Sequence, residues 1–239
     1  MSTRSMTPGQ VAELNGRFRD LAPREVVRWA LAEYKTAIAF SCGFGLEGVC
    51  ILDMIAKIDS NAKVFTLDTG RLPQETYDLI QRCKEKYKID IQVYFPEHRE
   101  VEEMIRSFGP NLFYESRELR RLCCHVRKVR PLMRALDGLS AWITGLSRAQ
   151  SSARSAVTIF ELDEAHNGIL KINPLAYWSP ADVWRYIQNN DVPYNALYKR
   201  GYKSIGCAPC SRPVMKGEED RAGRWWWENE GSKECGIHR

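Results

Sequence analysis

Four short apolar runs, each bounded by turn residues and separated from the next by a helix-like stretch, constrain the fold of this chain more than any other feature. They are residues 36–41 (Thr-Ala-Ile-Ala-Phe-Ser), 63–68 (Lys-Val-Phe-Thr-Leu-Asp), 89–95 (Ile-Asp-Ile-Gln-Val-Tyr-Phe) and 140–146 (Ser-Ala-Trp-Ile-Thr-Gly-Leu), and they read as buried strands. Helical stretches are expected at about 46–58, 73–88, 98–107 and 117–136, with Pro73 suited to a first turn. Such alternation predicts an α/β fold, a parallel sheet with helices on both faces, and ligands at the carboxyl ends of the strands. Ser179-Pro180 opens a further helix over 181–189, and residues 192–216, rich in proline and glycine, read as irregular. A last helix is expected over 217–230, with Glu218, Glu219 and Asp220 in its first turn and Arg221 and Arg224 sharing one face. Beyond Gly231 a mobile tail carries Cys235, so the chain divides into an α/β body, 1–216, and a C-terminal helix and tail, 217–239.

With 239 residues, 44% of them hydrophobic and 27% charged, the chain can bury a core; these values argue against a disordered polymer and a membrane-spanning bundle. No apolar run approaches membrane length, and residues 1–15 hold no apolar segment of a secretory signal, so a cytoplasmic location with reduced thiols is expected, with no membrane partner. A net charge of +5 suggests anionic ligands but does not indicate nucleic acid. Its distribution says more: Arg117, Arg120, Arg121, Arg127, Lys128, Arg130 and Arg134 face only Glu118 within one stretch, which reads as a positive surface or an anion site.

Three strand-to-helix loops carry ligand-type residues. Ser41-Cys42-Gly43-Phe44-Gly45-Leu46-Glu47-Gly48 offers small residues whose N–H groups approach an anion where a helix dipole points, although a tight turn also requires glycine. Leu67-Asp68-Thr69-Gly70-Arg71 gathers a carboxylate, a hydroxyl and a guanidinium, with Asp68 equally suited to capping the turn. In Gly145–Arg154, Arg148 and Arg154 are spaced to clamp phosphate or sulfate.

Cysteines are the sharpest chemical signal. Cys42, Cys50 and Cys83 sit singly in apolar or helical stretches and read as core. Cys123-Cys124 and Cys207-Ala208-Pro209-Cys210 form two pairs which, in a reduced compartment, favour metal ligation over disulfides. Four thiolates can hold zinc or an iron–sulfur cluster. Adjacent helical side chains point about 100° apart, so the neighbouring Cys123 and Cys124 need a strained turn and an object larger than one ion, which favours a [4Fe–4S] cluster. Cys235 stands apart, where Lys233, His238 and Arg239 would push its thiol toward thiolate, the form that acts as nucleophile.

Together these residues resemble the family of assimilatory adenylylsulfate (APS) and phosphoadenylylsulfate (PAPS) reductases. The resemblance covers roughly 25–239 and rests on the Leu67–Arg71 and Gly145–Arg154 loops, the two cysteine pairs and the terminal Lys233-Glu234-Cys235-Gly236-Ile237-His238. It implies an adenine-nucleotide α-hydrolase-like, Rossmann-like sheet, and the cysteine pairs mark the branch that binds a [4Fe–4S] cluster and prefers APS. By position, Cys235 resembles the nucleophile; Cys123, Cys124, Cys207 and Cys210 resemble the cluster ligands; Lys128, Arg154, Arg221 and Arg224 resemble the phosphosulfate-holding residues; and Leu67 and Gly145 resemble backbone contacts to adenine. The first loop departs from relatives, which tend to carry serines before its glycine and an acidic pair after it, so backbone contacts are what Cys42, Gly43 and Gly45 are expected to supply.

The implied reaction is attack of Cys235 on the sulfur of APS, release of AMP, and release of sulfite by a thioredoxin- or glutaredoxin-type thiol. PAPS reduction on the same scaffold is the near alternative. A metal-stabilised nucleotide- or RNA-binding protein without redox turnover is the distant one, and such a module has no need of a mobile Cys235. A homo-oligomer is compatible with the sequence.

Overall fold

The structure, a computed structural model, describes residues 6–228 and 236–238. Its sheet is built outward from β1 (Ile38–Ser41), which pairs in parallel with β2 (Val64–Leu67) on one side and β4 (Ala141–Ile143) on the other. With β3 (Ile91–Tyr94), β5 (Phe160–Asp163) and β6 (Ile169–Ile172), the order is β3-β2-β1-β4-β6-β5; β4 and β6 are parallel, β5 and β6 antiparallel. Helices α3 (Leu46–Ile58), α4 (Gln74–Tyr87) and α5 (His98–Phe108) fall where the periodicity predicts them, α3 as the crossover between the parallel neighbours β1 and β2.

The expected α/β sheet is therefore present, in mixed form. The β5–β6 hairpin and two N-terminal helices, α1 (Pro8–Phe18) and α2 (Pro23–Tyr34), were not evident from the apolar runs. Phe-Glu-Leu-Asp is too short and too polar to announce a strand, and its outer edge is secured from a distance: Asn15 on α1 donates to the Phe160 carbonyl (2.9 Å) and accepts from the Phe160 N–H (3.0 Å). The amide thus occupies an edge that would otherwise invite pairing.

Two compact units divide the chain. One comprises Met1–Thr66, Glu75–Gln92 and Gly138–Ala196; the other comprises Leu67–Gln74, Val93–Asp137 and Leu197–Arg239. The core of the first centres on Phe40, Ile51, Leu52, Ile143 and Phe160, with the Phe160 ring packed against Phe18 and Trp29 at centroid distances of 5.3 and 5.2 Å. In the second, Met104, Leu112, Phe113, Val126 and Trp225 pack with all four paired cysteines.

Two expectations need correction. The helix over 117–136 is interrupted: α6 (Arg117–Cys124) passes through a π-helical turn, His125–Val129, into α7 (Arg130–Leu136). Pro131 has no N–H for the Arg127 carbonyl and its ring would crowd it, so the turn widens and Arg130 N–H reaches back to His125 O. The helix over 217–230 does not form in its described part; 217–228 are turns with a single bridge between Ser211 and Arg224. Gly217 and Trp225 have positive φ (92° and 43°), Arg212 takes Glu218 in a bidentate pair, and a Cβ on Gly223 would collide with the Arg212 carbonyl oxygen. Close packing on 211–214 outweighs the favourable acidic first turn.

Candidate functional site

In the first unit, β1 continues toward β2 on one side and borders β4 on the other, so the loops leaving the carboxyl ends of β1 and β4 are neighbours at the point where the sheet reverses its order. They touch: a Cβ on Gly145 would sit 3.3 Å from the Gly48 nitrogen, at the start of α3. Cys42 is buried there, its N–H donating to Phe65 O (2.8 Å) and its thiol pushed up by burial, which makes it core rather than chemistry. Phe44, buried at φ 54°, pins the loop; Gly43 is exposed and Gly45 caps α3. Arg148 donates to Val157 O (2.6 Å) and lies 4.6 Å over Tyr177, so its guanidinium braces the loop. Arg154 donates to Gln150. Burial raises the Glu47 carboxyl above its ordinary range, against hydrogen bonds from its own N–H and Gln150 and the charge of Arg154.

The second unit holds the paired cysteines. Cys123 and Cys124 close α6 directly before the π turn, and Cys207 caps and Cys210 ends a short 3-10 turn; all four are buried and line one pocket with Arg71, Phe113, Arg120, Arg127, Lys128, Arg224 and Trp225. Leu67, half-buried, ends β2 and leads into the loop that meets them. Asp68 caps its own turn through Gly70 N–H (2.8 Å), while the Thr69 hydroxyl lies 3.2 Å from Cys207 Sγ and the Thr69 carbonyl accepts from Arg127 (2.7 Å). Burial raises the Cys207 thiol, but Lys128, the Thr69 hydroxyl, Arg224 and Arg127 outweigh it and leave its pKa lowered. Cys210 is instead pushed up to about 12, by burial and the nearby Cys207.

Arg224 is buried, donates to Cys210 O (3.0 Å) and to Ser204 Oγ (3.4 Å), and faces the Trp225 ring at 4.7 Å; Arg221 reaches the same hydroxyl at 3.5 Å. The two arginines thus meet at Ser204 without the helix expected to align them. Arg120 also stands over the Trp225 ring, at 4.5 Å, and is bound bidentately by Glu228 (2.7 and 2.9 Å). The sequence marked the Thr69 hydroxyl as one of a ligand-type set and Arg127 as part of the basic run, but gave neither a partner, and the Arg120–Glu228 pair was not expected. The turn Gly236–His238 lies against the π turn, a Cβ on Gly236 falling 3.4 Å from Val129 Cγ2. Cys235 lies outside the described residues.

The donor set fits a thiolate-ligated centre in its chemistry: four thiols border one pocket, several cations offset the charge, and the buried Trp225 Nε1 and Arg127 Nε have no hydrogen-bond partner. Among the described residues no group of three or more His, Cys, Asp or Glu stands as a metal-ion site.

The phosphoadenosine phosphosulfate reductase domain matches residues 37–213. The chain belongs to that family. As a member it is an enzyme, an oxidoreductase, and its similarity extends well beyond the domain match. The adenosine 5'-phosphosulfate reductase of Allochromatium vinosum is 47% identical over 203 residues, 85% of this chain and 79% of that one. The protein of the same name from Sinorhizobium fredii is 43% identical over 240 residues, 100% of this reductase and 94% of its relative. A solved phosphoadenylyl-sulfate (PAPS) reductase from Candida auris, in a phosphate complex, superposes with TM-score 0.77 at 34% identity, covering 89% of this reductase and 100% of that chain. Yeast FAD synthetase, at TM-score 0.54 and 13% identity, shares the fold alone. No helix among the described residues is long and apolar enough to cross a membrane.

Proposed function

We propose that this reductase converts APS to sulfite and AMP with a thioredoxin- or glutaredoxin-type dithiol as electron donor, in sulfate assimilation in the cytoplasm. The observation that carries this reading is the convergence of both cysteine pairs on one cation-lined pocket; the relatives named adenosine 5'-phosphosulfate reductase support APS over PAPS. Cys123, Cys124, Cys207 and Cys210 would hold a [4Fe–4S] cluster, which would supply a fixed negative centre that the surrounding cations balance.

The chain's own residues divide the work. The N–H groups of Gly43 and Gly45, the Gly145 carbonyl and the Leu67 backbone serve the adenine nucleotide, and Lys128, Arg154, Arg221 and Arg224 hold its phosphosulfate. Cys235 thiolate attacks the sulfuryl sulfur, the S–O bond to phosphate breaks, AMP leaves and a Cys235 S-sulfonate forms. Arg221, Arg224 and Lys128 offset charge on the sulfonate oxygens as it moves. One thiolate of the reductant then attacks Cys235 Sγ, the S–S bond to the sulfonate breaks and sulfite departs; the second thiol resolves the mixed disulfide, so the dithiol supplies both electrons. Cys235 and His238 both belong to the C-terminal segment 217–239, in which His238 favours the thiolate.

Mixing anaerobically prepared protein with APS, without reductant, should leave an SO₃ adduct on the peptide containing Cys235, detected by mass spectrometry; thioredoxin should discharge it as sulfite. An adduct on Cys42, Cys50 or Cys83, or equal kcat/KM with PAPS, would overturn the reading.

A further inference from the structure

Gln150 lies in the β4 loop, outside the residues so far given a role in the reaction, and every polar valence of its side-chain amide is used. Its Nε2 donates to the Gly145 carbonyl (2.8 Å) and binds the Glu47 carboxyl; its Oε1 accepts from the Ser147 N–H (3.2 Å) and from Arg154 Nη1. The amide orientation follows from the partners, since Ser147 N–H and Arg154 only donate and a carbonyl only accepts. The Gln150 backbone is held as well, in a reciprocal cap with the Ser147 hydroxyl over the turn Arg148–Gln150.

This single side chain therefore joins the end of β4, the guanidinium of Arg154 and the first turn of α3, where Gly145 already packs on Gly48. A turn cap requires only the Ser147 bond. The other three reach the carbonyl and the cation that the functional reading assigns to the nucleotide, and a carboxyl beside them. A carboxylate in place of the amide would keep both acceptors yet set bare oxygens against the Gly145 carbonyl and Glu47; an aliphatic side chain would release all four partners.

We infer that Gln150 is a positioning residue for the adenine nucleotide, setting the direction of the Gly145 carbonyl and the Arg154 guanidinium; this rests on the functional reading above. It touches no substrate in this role, so its removal weakens binding through two other groups.

The test uses the full chain, prepared anaerobically, with AMP as the calorimetric probe and APS as the kinetic one. Gln150→Leu should raise the AMP Kd and the APS KM about tenfold and lower kcat less than threefold. Gln150→Glu, nearly isosteric and expected to fold, should do the same. In an Arg154→Ala background the Gln150→Leu effect should shrink to threefold or less, because one of its two targets is gone; a mere loop brace would lower thermal stability by the same amount in both backgrounds and leave Kd unmoved. Wild-type binding of AMP and turnover of APS with unchanged constants in both Gln150 variants overturns the inference alone. Wild-type protein that neither binds AMP nor reduces APS overturns the functional reading beneath it.

Discussion

The Arg120–Glu228 pair gives the second unit a contact whose strength can be reckoned. Arg120 is 2% exposed and Glu228 7%, with two hydrogen bonds of 2.7 and 2.9 Å between them, and Arg120 also covers the Trp225 ring at 4.5 Å. Two unit charges about 4 Å apart attract by about 4 kcal/mol at an effective dielectric near 20. Removing Glu228 takes the carboxylate from a guanidinium in a dry site, a loss of about 3–5 kcal/mol, and removing Arg120 leaves Glu228 the looser contact with Arg117 at 3.7 Å. Removing both discards the attraction and the two desolvation costs together, so Arg120→Met with Glu228→Leu should lose much less than the two single changes combined. The assay is urea unfolding of the full chain under anaerobic conditions, followed by tryptophan fluorescence, with Glu228→Leu, Arg120→Met and the double variant compared at equal m-value. Glu228→Leu should fall by about 3–5 kcal/mol, Arg120→Met by less, and the double by no more than the worse single. Single losses under about 1 kcal/mol, or a double loss equal to their sum, would refute the claim that the pair is a coupled, desolvated unit.

Arg221→Ala and Arg224→Ala should each reduce kcat/KM for APS by about 2–4 kcal/mol equivalent while the protein stays folded, read by steady-state sulfite release; effects under tenfold in both would remove these arginines from the reaction. Iron and acid-labile sulfide analysis of anaerobic protein should find both, with Cys123→Ser and Cys210→Ser losing them; stoichiometric zinc without sulfide would exclude the cluster. Burial holds the Cys83 thiol up at about 12, against a starting value of 9.0, so its folded form binds its proton more tightly than the unfolded chain does. Its contribution is complete below pH 9 and is lost as pH rises toward 12; Cys83→Ala should flatten that alkaline decline in a denaturation series, and an unchanged slope would show that Cys83 does not drive it.

Sequence alone determined the elements whose cause is local. Buried strands announce themselves as apolar runs, so β1, β2, β3 and β4 and the helices α3, α4, α5 and α8 (Pro180–Asn189) were legible, the last through the Ser179 cap and Pro180. Residue chemistry is also local, which is why two cysteine pairs and a basic run marked the region that became one pocket. Tertiary structure decided the rest. The β5–β6 hairpin exists because β4 offers an edge and Asn15 guards the far side, neither of which is encoded in Phe-Glu-Leu-Asp. The acidic start after Gly217 favours a helix by its own electrostatics, yet Arg212 claims Glu218 and the Arg212 carbonyl leaves Gly223 no room for a side chain. What each cation contacts was likewise undecidable from spacing: Arg148 donates to Val157 O, Arg120 borders the pocket while paired with Glu228, and Lys128 and Arg224 border the thiols. Charge and reactivity belong to residue types, but the partner that consumes or directs them is set by packing between segments far apart in the chain.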